Sequence, residues 1–279
     1  MTDERKATVA VGYDQLAEVY LEWSRRSIDP ARGRMLAEFM RRLPPAAAVL
    51  DLGCGAGLPT TAALANRFVV TGIDTSAVQL AAARRNVPTA SFVEGDFASA
   101  DFPEASFDGI SAFYAISHVP RDEHAALFDR IHRWLRPDGL FVASLGAHDS
   151  PDWTGVWLGT LMFFSSFGAD TNRRLLRAAG FELLTDDVVE TVEPEGPVPF
   201  LWVLARKSRL RERLLDPWRP ESGFSAGRSA PGQGQARSAG GSAASAGRRR
   251  FGAGGQCGPP RDNSIDRAVS RRITRWLVI

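Results

Sequence analysis

The chain has 279 residues, 44% of them hydrophobic, enough apolar surface for a core of ordinary size. No apolar run reaches the ~18 residues of a membrane helix, and two cysteines and four histidines without zinc-type spacing exclude a disulfide framework and a zinc finger. The formal charge of +2 hides a division: residues 1–207 hold 20 Lys+Arg against 27 Asp+Glu, whereas residues 208–279 hold 14 Arg, no Lys and 5 acids. An acidic body repels phosphate backbones, so no specific nucleic-acid partner is expected. No metal site is expected either. The first ten residues lack an apolar signal core, so a cytoplasmic location is expected, with no membrane partner.

In chain order, Tyr13, Leu16, Ala17, Tyr20 and Trp23 share one helical face and predict a helix over residues 13–23. A second helix is predicted over 31–42, stopping before Pro44-Pro45. A strand–helix alternation follows. Residues 47–51 read as a buried parallel strand. A glycine turn over 53–57 leads into helical sequence to about Asn66. Residues 68–73 form the next strand, residues 76–86 a helix with Ser76 as N-cap, and residues 90–94 a third strand. A fourth strand covers 107–113, a helix covers 121–135, and a fifth strand covers 140–145.

A long insert, residues 146–168, carries Trp153, Trp157, Phe163, Phe164 and Phe167 and is expected to form a substrate lid. A helix over 169–179 ends at Gly180. Strands over 182–192 and 198–206 are joined by about five residues, too few for a crossover helix, so they should pair antiparallel at a sheet edge. The elements predict an α/β fold: a mostly parallel sheet, helices on both faces, and a late hairpin. Residues 1–207 form the folded unit, with 1–45 as a helical cap and 46–207 as the α/β core. Residues 208–279 differ. Within 221–260 lie 11 Gly, 8 Ala, 6 Ser and 3 Pro, a composition that cannot offset chain entropy by burial, so a disordered tail is expected. A flexible interaction tail and out-of-frame translation of a GC-rich coding sequence both fit it.

The strongest signal is Asp51-x-Gly53-x-Gly55-x-Gly57 at the end of the first strand. Glycines there permit positive φ and close approach of a ligand, and a following helix N-terminus suits an anion. The dinucleotide pattern G-x-G-x-x-G fails by one residue, because its sixth position is Leu58. Further on stand Gly72-Ile73-Asp74, Gly95-Asp96-Phe97, Phe107-Asp108-Gly109-Ile110 and Leu135-Arg136-Pro137-Asp138-Gly139-Leu140. Together these resemble the class I S-adenosylmethionine-dependent methyltransferases of small-molecule type, over about residues 12–207.

The resemblance implies a Rossmann-like sheet of seven strands and S-adenosyl-L-methionine as cofactor. It implies that Asp74, with Thr75 beside it, receives the ribose hydroxyls, and that Asp96 takes the adenine amino group with Phe97 against the ring. The glycine loop and Asp51 would hold the methionine end. Phe113 would border the sulfonium, and Tyr20 of the first helix would close over the cofactor.

His118, with an ordinary pKa near working pH, is the candidate general base, and Tyr114 a weaker one. His148 lies nearer the cleft than His124 and His132, which read as structural or solvated. Cys54 reads as a small buried filler. The expected activity is methyl transfer to an O or N atom of an apolar or aromatic small molecule. The alternatives are a non-catalytic cofactor-binding regulator and an NAD-dependent oxidoreductase. The latter lacks a catalytic lysine in the core, since Lys6 and Lys207 stand at the ends of the folded unit.

Overall fold

The computed structural model describes residues 3–26, 29–193 and 196–208. The expected tail thus lies, apart from Ser208, outside the described residues. Helix α1 (Glu4–Arg26) starts well before the predicted Tyr13, because Asp3 accepts the backbone N–H of Arg5 at 2.9 Å and closes the first turn. Helix α2 (Pro30–Arg42) is capped by Asp29, whose side chain accepts from Arg32 N–H, with Pro30 at the first helical position. Then follow β1 (Ala48–Leu52), α3 (Thr60–Ala65), β2 (Val69–Asp74), α4 (Ala77–Asn86) and β3 (Ser91–Glu94). Ser76 caps α4 by accepting from Gln79 N–H, as its position predicted.

Next come β4 (Phe107–Ala112), α5 (His124–Trp134), β5 (Leu135–Gly146), the pair β6 (Ser150–Trp157) and β7 (Thr160–Ser166), α6 (Ala169–Ala178), β8 (Phe181–Glu193) and β9 (Gly196–Lys207). Strand β5 begins five residues earlier than expected. Leu135 pairs with Phe107, and the register then shifts to Gly109–Leu140, so the turn sequence is a bulge within the strand.

The seven-stranded sheet has the order β3-β2-β1-β4-β5-β9-β8, with β9 antiparallel to both neighbours and the remaining contacts parallel. This is the expected Rossmann-like sheet with its late hairpin at one edge. Alternate residues of β1 serve opposite faces: Leu50 and Leu52 meet α5 and α6, whereas Val49 meets α2 and α3. Helix α2 belongs to the sandwich. Phe39 and Leu43 lie so close over Gly109 that a Cβ there would stand 2.5 Å from Phe39 Cζ. Within the 1–45 segment, α1 is the helix that packs against the insert and lies over the strand ends. No described helix is long and apolar enough to cross a membrane.

The insert is not an irregular loop. It is a two-stranded antiparallel hairpin whose turn, Leu158-Gly159, has both residues at positive φ (49° and 85°). The hairpin packs on α1 around Val9, Leu16, Met162 and Phe163, all buried. Gly12 permits the contact, since a Cβ there would lie 2.9 Å from the Leu161 carbonyl oxygen. Helix α1 and the hairpin therefore form one cap over the carboxyl ends of the parallel strands.

Candidate functional site

The glycine loop leaves β1 and turns back against β2, where Gly53 and Cys54 N–H both donate to the Ile73 carbonyl (2.9 and 3.1 Å). Gly53, Gly55 and Gly57 have φ of 67°, 52° and 78°. At Gly53 the space is closed as well, because a Cβ would stand 2.5 Å from the Ala115 Cβ. Gly53→Ala is expected to destabilise the protein by about 2 kcal/mol or more, read as a lowered urea midpoint; an unchanged midpoint would show that the loop relaxes freely. Gly55 has open space around it, its nearest neighbour being Gln79 Oε1 at 3.9 Å. Gly57 departs from the expectation for the loop: it faces Ala83 of α4 and the C-cap residue Val87 rather than the cleft, and packs the loop against that helix. The expected helix N-terminus is also displaced. Helix α3 starts only at Thr60 and has six residues, and the N–H groups of Ala62 and Ala63 donate back to the Gly57 and Pro59 carbonyls.

A cleft runs along these strand ends. At one end lie Lys6, Asp96 and Phe97, in the middle Asp74, Thr75 and Gln79, and at the far end Asp51, Cys54 and Arg32. Tyr20 and Phe113 line it throughout. The expected cofactor residues other than Gly57 are thus brought together. Asp51 is buried (3% exposed) and accepts hydrogen bonds from Thr61 Oγ1 at 2.6 Å and Ser111 Oγ at 2.7 Å. Burial pushes its carboxyl up from 3.8 to about 6 against those hydrogen bonds. Asp74 accepts Gly55 N–H at 2.8 Å and Ser76 N–H at 2.9 Å, and burial raises its pKa too. Asp96 accepts Ala98 N–H with one oxygen, and Lys6 Nζ and Ser99 Oγ with the other. The Cys54 thiol is pushed up by burial and has the inert, space-filling role expected of it.

Three cleft residues escaped the sequence reading. Gln79 is 1% exposed, and its Nε2 has no partner, a buried donor that faces the cleft. Its place one turn into the helix after Asp74 was a usable signal. Arg32, at the start of α2, lines the end near Asp51. Lys6 stands 90 residues from Asp96 and has no local signal; the reading that lysine is absent from the centre is corrected by the return of α1 over the cleft.

A second cavity adjoins the first where Tyr13, Tyr20, Tyr114 and His118 line both. Its other walls include Trp153, Trp157 and Phe164 of the hairpin and Phe200 of β9, with His148 at the rim of β5. None of its described lining residues is Asp, Glu, Lys or Arg. His118 Nδ1 lies 2.9 Å from the Phe163 carbonyl, which can only accept, so Nδ1 carries the proton. Nε2 is then the acceptor, and Tyr13 donates its hydroxyl to it at 2.8 Å. Burial lowers the His118 pKa from 6.5 to about 4, so the ring is neutral at working pH. His118 therefore holds Tyr13 and the hairpin instead of presenting a free lone pair. Tyr114 has its hydroxyl on Asp29 at 2.5 Å and its ring edge-on to Phe200 and Trp202, so it serves as a wall. His124 and His132 are buried, as structural residues.

The His118 pKa has a stability consequence. Between pH 4 and 6.5 the unfolded chain binds the proton and the folded one resists it, so stability rises with pH across that window. The advantage of the wild type over His118→Gln is expected to grow between pH 4.5 and 7, by up to about 3 kcal/mol. Urea denaturation at both pH values measures it, and a pH-independent difference would mean that the ring is not buried neutral.

Fold and lining define a doubly wound α/β protein with an elongated cleft across the carboxyl ends of its parallel strands, the place where such sheets bind their ligands. A methyltransferase-domain family profile matches residues 49–139. An O-methyltransferase of Pyrenophora dematioidea is 34% identical over 198 residues, 66% of this chain and 72% of the relative. A sterol 24-C-methyltransferase of Gibberella zeae is 28% identical over 192 residues, 62% of this chain and 49% of the relative. The chain spans 47–62% of the length of several curated relatives it matches. A solved 1,6-didemethyltoxoflavin N1-methyltransferase of Burkholderia thailandensis, with 1,6-didemethyltoxoflavin and S-adenosylhomocysteine bound, superposes with a TM-score of 0.59 at 25% identity, covering 75% of this chain and 92% of its own. The chain belongs to the class I S-adenosylmethionine-dependent methyltransferases. Its cofactor is S-adenosyl-L-methionine, which sets the nicotinamide alternative aside.

Proposed function

We propose that this protein methylates an oxygen or nitrogen atom of a neutral apolar or aromatic small molecule. The observation that carries this reading is the second cavity, walled by aromatic side chains, with no charged residue in its described lining, and open to the cofactor cleft at Tyr13, Tyr20, Tyr114 and His118. A polyanionic acceptor would require Arg or Lys there.

The cofactor fits the residues present. The orphaned Gln79 Nε2 supplies a donor inside the cleft, and the open space at Gly55 lets the backbone approach it. Asp74 and Thr75 would hold the ribose, Asp96 and Phe97 the base, and Asp51 the amino group, with Arg32 near the carboxylate. When bound, the cofactor supplies a methyl group on a sulfonium, already activated for displacement. The protein's part is to align the acceptor beside Phe113 and Tyr20 and to exclude water beneath α1 and the hairpin. With the His118 lone pair taken by Tyr13, alignment carries more of the rate than proton removal.

The test is incubation with S-adenosylmethionine and a panel of phenols, catechols, arylamines and aromatic carboxylic acids, followed by mass spectrometry. Methylation of the neutral aromatics supports the reading. Turnover confined to the carboxylic acids would overturn it, and cofactor binding without turnover of any panel member would favour the non-catalytic regulator.

A further inference from the structure

We propose that Lys6 completes an adenine-reading pair with Asp96, and so ties the α1 cap to the nucleoside; this rests on the cofactor reading of the cleft. Lys6 Nζ lies 2.8 Å from Asp96 Oδ2 and 2.6 Å from Glu123 Oε2, and its side chain is 18% exposed. It lines the cleft next to Asp96 and Phe97. An ammonium has three N–H donors, and two are committed here. Asp96 is held rigid from the other side by Ala98 N–H at 2.8 Å. A carboxylate and an ammonium thus stand side by side at the end of the cleft that the base occupies.

The edge of adenine presents the complementary pair, an amino donor beside a ring-nitrogen acceptor. Asp96 receives the amino group, and the third proton of Lys6 goes to the ring nitrogen. Hypoxanthine carries a carbonyl oxygen where adenine carries the amino group, and that oxygen would face a carboxylate. Sites that read a hydrogen-bonding group reject the analogue lacking it far better than apolar pockets reject a missing methylene. The residue that reads the base also sits on the cap. Arg5 pairs with Asp152 of the hairpin at 2.7 Å, and Asp14 accepts from Ser76 Oγ at 2.6 Å, so the Lys6 pairs belong to the set of polar contacts that seat α1. Burial opposes the charge on Lys6, but its two carboxylate partners outweigh it and raise the pKa, so the donor persists at working pH.

The experiment is calorimetric titration of the full chain with S-adenosylhomocysteine and with its hypoxanthine counterpart, S-inosylhomocysteine, on wild type, Lys6→Met, Lys6→Arg and Glu123→Gln, with hydrogen exchange of the α1 amides in parallel. Wild type is expected to prefer the adenine compound by roughly a hundredfold. Lys6→Met is expected to bind S-adenosylhomocysteine about tenfold or more weakly, with little change for the hypoxanthine compound. S-adenosylhomocysteine should slow α1 exchange in wild type and not in Lys6→Met. Lys6→Arg, which keeps a charged donor, and Glu123→Gln, which keeps Lys6 itself, should retain most of the preference. Lys6→Met with wild-type affinity, preference and protection would overturn the proposal. A folded wild type that binds neither compound would overturn the cofactor reading instead.

Discussion

Asp74→Ala is expected to raise the dissociation constant for S-adenosylhomocysteine at least a hundredfold. The carboxylate does two things at once. Its oxygens accept Gly55 N–H and Ser76 N–H, stapling the glycine loop to the start of α4, and it lines the middle of the cleft where a ribose would lie. Hydrogen bonds from neutral donors to a charged acceptor contribute about 1.5–3 kcal/mol each, so losing two from a ribose diol exceeds the ~2.7 kcal/mol that corresponds to a hundredfold change. Two backbone N–H groups lose their partner as well. Asp74→Asn keeps one acceptor and should fall between wild type and Asp74→Ala, with the native near-ultraviolet circular dichroism retained. Unaltered affinity in a folded Asp74→Ala protein would show that the ribose is held elsewhere.

Cofactor affinity is expected to fall about tenfold between pH 7 and pH 5 through Asp51 alone. Its carboxyl is raised from 3.8 to about 6, chiefly because it is buried. An ammonium beside it in the bound state favours the carboxylate and lowers that pKa. The bound form therefore carries fewer protons than the free form, and affinity rises with pH until the free carboxyl is ionised, just above pH 6. Below that point each pH unit weakens binding by about a factor of ten, which is the ~1.4 kcal/mol equivalent of one unit. Calorimetry near pH 6 in buffers of different ionisation enthalpy should show about half a proton released on binding S-adenosylhomocysteine. Asp51→Asn should remove both the slope and the release. A slope that survives in Asp51→Asn would assign the titration to another group and separate Asp51 from the amino-acid end.

The features legible in the sequence are those written within a few neighbouring residues. The alternation of buried strands and helices, the N-cap at Ser76 and the antiparallel pairing of β8 with β9 followed from periodicity, capping chemistry and loop length. Asp51, Gly53, Gly55, Asp74, Asp96 and Phe97 stand in the motifs that resemble the methyltransferase family, and they meet in one cleft because the strand ends of a doubly wound sheet converge on one edge. Gly57 carried the same local signature, yet it packs on α4, because a positive φ says nothing of which way the backbone faces.

The rest depended on contacts between distant segments. The aromatic insert was recognisable as a cavity wall, but its hairpin form required the pairing of Trp153 with Phe164 and a two-residue left-handed turn. The role of His118 was decided by Tyr13, 105 residues away, and by the Phe163 carbonyl, which together occupy both ring nitrogens. Lys6 entered the cleft because Gly12 lets α1 lie against the hairpin, which carries the helix start over to Asp96. The sheet and the glycine loop follow from local conformational preference, and the acids follow from their places in motifs at the strand ends. Which donors meet those acids, and what closes the cavity beside them, follows from the packing of distant segments, because hydrogen bonds and burial depend on distance in space and not on separation along the chain.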